Sequence, residues 1–87
     1  MCKEIVLDVH TLDPPVPFEI IMGKLTSLKV GEYIKVLHRM QAFPLYEVLL
    51  DNGFRYKVLE GEFGFDIYIW KASDKASAEK IKSFLRN

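Results

Sequence analysis

Apolar positions along the chain change their period several times, and each change marks an element. From Glu4 to Val9 the β-branched and aliphatic residues Ile5, Val6, Leu7 and Val9 predict a short strand. Leu12-Asp13-Pro14-Pro15-Val16-Pro17 then interrupts the pattern as a stiff elbow. Pro15 pushes Pro14 out of the α region, and a proline in a first helical turn removes an N–H that has no intrahelical acceptor, so a helix should start near Pro15. Behind it Phe18, Ile21, Met22 and Leu25 recur at helical spacing as one apolar stripe, with Glu19 and Lys24 outside it. Gly23 weakens this helix without ending it.

After a loop over Ser27 to Glu32, Tyr33 to Leu37 reads as a second strand. Strand, helix and strand predict a right-handed parallel crossover, which carries both strand ends to one sheet edge and makes His10 and His38 neighbours there. Phe43-Pro44 opens a second helix with Leu45, Val48 and Leu49 as its stripe, and Asn52-Gly53 closes it. Phe54 to Glu60 alternates, Phe54, Tyr56 and Val58 against Arg55 and Lys57. Across the turn Gly61-Glu62-Phe63-Gly64, Phe65, Ile67 and Ile69 face inward while Asp66, Tyr68 and Trp70 face away. Ser73 to Asn87 is a capped helix begun by Ser73 or Asp74, with Ala78, Ile81, Phe84 and Leu85 as its apolar side and Lys80, Lys82 and Arg86 suited to its C-terminal dipole.

The expected fold is α+β: a two-layer α/β sandwich in the order β-α-β-α-β-β, with a mixed four-stranded sheet and an additional C-terminal helix. Residues 1–72 form the sandwich, and 73–87 pack on the same domain. The natural place for that last helix is the open sheet face over Tyr68 and Trp70; otherwise it offers a dimer or partner surface.

Composition narrows the function. The 87 residues suffice for one domain, which buries about 60 per cent of its unfolded surface and is modestly stable without a partner. With 49% hydrophobic and 28% charged residues the chain is a folded protein rather than a disordered one. Twelve basic side chains balance twelve acidic ones, so no general field draws in nucleic acid or an anionic membrane, and neither is an expected partner. Neutrality favours self-association, which leaves a homodimer open. Cys2, the single cysteine, excludes an intramolecular disulfide and a cysteine-based metal cluster. With no charged leader before a cleavable apolar core and no membrane-length apolar run, a cytoplasmic location is expected.

Candidate chemistry gathers near the elbow. Free N–H groups and the dipole at a helix start can attract an anion or activate a thiol, but no thiol stands there. His10 and His38, with Asp8, Asp13 or Tyr46 beside them, suggest a transition-metal or haem site, although their spacing matches no recognised ligand motif. Arg39 has the shape to clamp a carboxylate or phosphate beside the second helix start, or is simply a solvated loop residue. Tyr33, Lys35, Arg55, Lys57, Tyr68 and Trp70 place rings among cations on one sheet face, which would suit single-stranded RNA unless the last helix hides them.

The elbow resembles the TusA-like (SirA-like) sulfur-carrier superfamily, whose signature sets Cys-Pro-x-Pro at the start of the first helix after a strand and an Asp-x-x-Gly-Leu run. The matching run here is Asp8-Val9-His10-Thr11-Leu12-Asp13-Pro14-Pro15-Val16-Pro17. Asp8, Leu12, Pro15 and Pro17 match, Thr11 stands for the Gly, and Pro14 stands where the family has its persulfide-carrying Cys. The resemblance covers roughly residues 4 to 71, and Phe43-Pro44-Leu45-Tyr46 with Asn52-Gly53-Phe54 looks like an uncharacterised branch lacking that Cys. It implies the sandwich fold without the sulfur-accepting thiol. The expected function is therefore a non-catalytic protein-interaction or accessory module in sulfur- or redox-related metabolism. Its partner edge would comprise Asp8, His10, Asp13, Pro14, Pro15, Pro17, His38, Arg39 and Tyr46. No cofactor is expected on this reading. The alternatives are a metal- or haem-binding redox module using His10 and His38, and an RNA-binding sheet face.

Overall fold

The computed structural model describes residues 2–84. In chain order its elements are β1 (Lys3–Asp8), α1 (Val16–Leu25), β2 (Glu32–His38), α2 (Phe43–Asp51), β3 (Phe54–Gly61), β4 (Gly64–Lys71) and α3 (Lys75–Phe84). The strands form one four-stranded sheet in the order β1-β2-β4-β3. β1 pairs parallel with β2, and β4 pairs antiparallel with both β2 and β3. The sheet is therefore mixed, and the expected α/β sandwich with an added helix is the observed fold.

Each strand is read by its pleat, successive side chains pointing to opposite faces. On one face Ile5, Leu7, Val9, Ile34, Val36, Ile67, Ile69, Tyr56 and Val58 meet Ile21, Leu25 and Leu28 from α1 and its exit, and Leu45, Tyr46 and Leu49 from α2. Ile21, Ile34, Val36, Leu49, Ile67 and Ile69 are wholly buried there, and each stabilises the fold by about 1.5–3 kcal/mol through the water it gives up. On the other face Tyr33 and Tyr68 are covered by Ile81 of α3, with Cys2, Leu59, Trp70 and Phe84 around them. The last helix thus lies over the otherwise open face. The expected contributions of Leu85 and Arg86 lie outside the described residues.

The stripe of α1 differs from the expected one. Pro17, Ile21 and Leu25 are its buried residues, whereas Phe18 is exposed. The sheet-facing line passes through Pro17, Ile21 and Leu25 at intervals of about one turn, which leaves Phe18 at the edge of the stripe. In α2 likewise Tyr46 joins Leu45 and Leu49 in the core, while Val48 is half-buried. The Tyr46 ring stacks on Tyr56 at 4.4 Å between centroids, an area of contact that the aliphatic stripe alone did not indicate.

The caps are settled by different devices. Asp74 starts α3: its Oδ1 accepts the Ser77 N–H at 3.1 Å and its Oδ2 the Ser77 Oγ–H at 2.7 Å. The same Oδ2 accepts the Gly31 N–H at 2.7 Å, which ties α3 to the loop before β2. Burial alone would raise the Asp74 pKa, but hydrogen bonds from the Ser77 hydroxyl and from the backbone of Gly31, Ser77 and Ala76 outweigh it and hold the carboxyl below its usual value. Nearby, burial and then the Glu4 carboxylate push the Tyr33 phenol up to about 12. Its hydroxyl donates to Glu4 Oε1 at 3.2 Å.

Candidate functional site

The parallel pairing of β1 with β2 delivers both strand ends to one rim, where the β1–α1 elbow, the β2–α2 loop and the β3–β4 turn meet. Arg39 fastens the elbow. Its Nη1 donates to the carbonyls of His10 and Leu12 at 3.3 and 3.1 Å, and its Nη2 meets Asp13 Oδ1 at 2.5 Å. Asp13 is largely solvent-exposed, so that ion pair contributes little by itself; the two carbonyl contacts add a geometric hold. The guanidinium is therefore turned to the protein's own backbone rather than held open for an anion.

The β3–β4 turn presses on the same place. Gly64 adopts φ +131°, and a Cβ there would stand 2.7 Å from the Arg39 carbonyl oxygen, so only glycine fits. One residue earlier, Phe63 lies parallel to the His10 ring at 3.7 Å. Sequence reasoning did not bring Phe63 to the rim, since a hairpin tip carries no local signal of what it touches across the fold.

His10 and His38 share this rim but serve different neighbours. His38 continues the parity of Ile34 and Val36 along β2, which turns its ring to the layer of α1 and α2. Asp8 belongs to the opposite set from Leu7, and His10 turns back to it: the His10 Nδ1–H donates to Asp8 Oδ1 at 2.5 Å. That hydrogen bond is the chief cause holding the Asp8 carboxyl below its usual pKa. Among the described residues no group of three or more His, Cys, Asp or Glu side chains is arranged to hold a metal ion. Tyr46 does not reach either imidazole; its hydroxyl donates to Gln41 Oε1 at 2.6 Å and accepts the Ala42 N–H at 3.3 Å.

Between the two proline-initiated helix starts lies a pocket of about 310 Å³. The elbow contributes Pro14, Pro15 and Pro17, α1 contributes Phe18 and Ile21, and α2 contributes Pro44 and Leu45. His38 at the end of β2, with Met40, Gln41 and Ala42 of the following loop, completes the wall. Only His38 and Gln41 bring polar side chains. Burial first, and then the Arg39 charge, hold the His38 pKa below its usual value, so the ring is neutral at physiological pH. At the mouth Phe18 and Met40 are exposed, as are Val16 and Phe43 beside the lining prolines; Phe43 is 68% exposed. The prolines and His38 were legible as rim residues. The apolar wall supplied by Ile21, Met40, Ala42 and Leu45 depends on two helices meeting, which no single stretch encodes.

The aromatic and basic face has a different fate. Tyr33 and Tyr68 are 3% and 7% exposed beneath α3, so neither ring is free to stack on a base. Lys35 reaches Asp66 at 4.0 Å. Arg55, Lys57 and Trp70 line a second groove with Ala78 and Lys82 of α3. Cys2 packs near Tyr33 at the start of β1, the length of that six-residue strand, about 20 Å, from the elbow.

A family model described as "Uncharacterized conserved protein (DUF2249)" matches residues 6–71, from within β1 to the end of β4. No curated protein and no solved structure matches the chain. Among the described residues no helix is long and apolar enough to cross a membrane.

Proposed function

We propose that this chain, which belongs to the DUF2249 family, is a small non-catalytic interaction or accessory module that docks a protein partner through its proline rim. The observation that carries this is the apolar pocket between the starts of α1 and α2, surrounded by exposed Val16, Phe18, Met40 and Phe43. Large apolar side chains grouped around a concavity are the usual mark of a docking surface, because leaving them in water costs more than covering them. The sulfur-carrier superfamily that the elbow resembles works through a thiol where this chain has Pro14. With Cys2 at the far end of β1, the module serves sulfur- or redox-related metabolism as an accessory and carries no sulfur itself.

The test places a photo-reactive phenylalanine analogue at position 43 in the native host, with position 29, outside the rim, as control. A specific cross-link at 43 is expected, and the captured protein should bind the purified chain at least tenfold more weakly after Phe43→Asp, with the circular dichroism unchanged. Equal cross-linking at 29 and 43 argues against the rim, and a second copy of this chain as the captured species identifies a homodimer. Incubation with a persulfide donor should leave no transferable sulfane sulfur; a persulfide on Cys2 that passes to an acceptor would overturn the non-catalytic assignment.

A further inference from the structure

One polar atom of the pocket has no assigned role, and the backbone dictates its sign. His38 is 5% exposed, and its Nδ1 accepts the Met40 N–H at 3.3 Å. A ring nitrogen that accepts an N–H bears no proton, so the neutral imidazole carries its proton on Nε2. Among the described residues the Met40 contact is the ring's one hydrogen bond. Among the described residues no buried side-chain nitrogen or oxygen is both sealed from solvent and without a partner. The Nε2–H is therefore not sealed off, and the cavity that His38 lines is where it can meet an acceptor. The other polar side chain of the wall, Gln41, has its Oε1 engaged by the Tyr46 hydroxyl. What remains is an apolar slot whose two polar side chains, His38 through Nε2–H and Gln41 through its amide N–H₂, present donors, the usual composition of a recognition pocket.

Resting on the docking reading above, we propose that the partner inserts one large apolar side chain into this slot and sets a main-chain carbonyl against His38 Nε2–H. A carbonyl satisfies such a donor, whereas an ammonium group has no acceptor to offer it. An anion is a poorer match, since the adjacent Arg39 is already turned to Asp13 and to the carbonyls of His10 and Leu12. A peptide is favoured over a free small molecule because Phe18, Met40 and Phe43 extend the apolar surface past the mouth, and only a macromolecule covers slot and surround together.

The test uses the intact chain labelled with ¹⁵N-histidine. At pH 7.5 His38 should show a protonated Nε2 and a bare Nδ1; the opposite tautomer, or an imidazolium, overturns the proposal. N-acetyl-phenylalanine methylamide should then shift His38 Nε2 together with the methyls of Ile21 and Leu45. N-acetyl-glycine methylamide, which lacks the apolar group, and 2-phenylethylammonium, which lacks the acceptor, should each bind at least tenfold more weakly; parity of either with the phenylalanine probe overturns it. His38→Phe should abolish the preference for the amide over the ammonium. Should that variant not fold, Ala42→Leu, which narrows the slot from its loop wall, should weaken the phenylalanine probe at least fivefold, and unchanged binding counts against the slot. A partner cross-linked at position 43 that binds His38→Phe as well as the unmodified chain would sink the slot alone, while a probe held on His38 with no cross-link at 43 would sink the docking reading alone.

Discussion

At the residue scale the two histidines show how one side chain type is put to opposite uses by its neighbours. The His10 ring donates its Nδ1–H to Asp8 Oδ1 and lies on Phe63. The His38 ring accepts the Met40 N–H at Nδ1 and carries its own proton on Nε2. Protonating His38 would cost the Met40 hydrogen bond and place a charge in an apolar wall beside Arg39. Its folded pKa lies below the unfolded 6.5, so the unfolded chain binds the proton more tightly. The corresponding stability is complete above pH 6.5 and is lost as the pH falls through that value toward the folded pKa. Urea midpoints at pH 7.5 and 5.5 should therefore differ, with the lower value at pH 5.5, and His38→Gln should shrink the difference; a variant with the same pH response would remove His38 as its source.

Two elements depend on single residues placed by contacts distant in sequence. Asp74 both caps α3 and takes the Gly31 N–H. Asp74→Ala loses a cap, worth about 1 kcal/mol, and strands a part-buried donor at about 1–3 more, so a loss of roughly 2–4 kcal/mol is expected in urea unfolding. Asp74→Asn, which keeps an acceptor oxygen, should recover part of it. In the β3–β4 hairpin, Gly64→Ala would force a Cβ against the Arg39 carbonyl in a conformation that L-residues avoid. The expected cost is about 2 kcal/mol or more, and a chemical-shift change at His10 through Phe63 would report that the hairpin tip had moved off the rim. An unchanged midpoint would show that the tip yields freely.

At the scale of the whole molecule, the sheet has an apolar layer on each face, and the two layers differ in kind. The α1/α2 side is an extensive aliphatic core, whereas the α3 side is a small cluster around Tyr33, Tyr68 and Ile81. A neutral chain with exposed rings at its rim has little charge repulsion to keep copies apart. Removing residues 73–87 would uncover Tyr33, Tyr68 and Trp70, and such a chain should bind a hydrophobic dye and associate with rising concentration in sedimentation velocity. If it stays monomeric and dye-silent, α3 is not needed to protect that face.

Strand and helix periods, the proline starts and the Asn52-Gly53 stop were sufficient by themselves to determine the element order and the mixed sheet, because each is written in spacing over a few neighbouring residues, whereas the sequence left the last helix with two possible places, and the structure sets it over Tyr33 and Tyr68. The same locality explains the misplacement of Phe18: it stands three residues before Ile21, within the width of an apolar helical stripe, and only packing on the sheet selects Pro17, Ile21 and Leu25 as the buried line. His38 and the prolines could be named as rim residues from the order of elements alone. That His10 bonds Asp8 while His38 turns to the helix layer, that Arg39 holds the elbow, and that two helix starts enclose a pocket lined by His38 were decided in three dimensions, where pleat parity and backbone hydrogen bonds set directions that the order of residues leaves open.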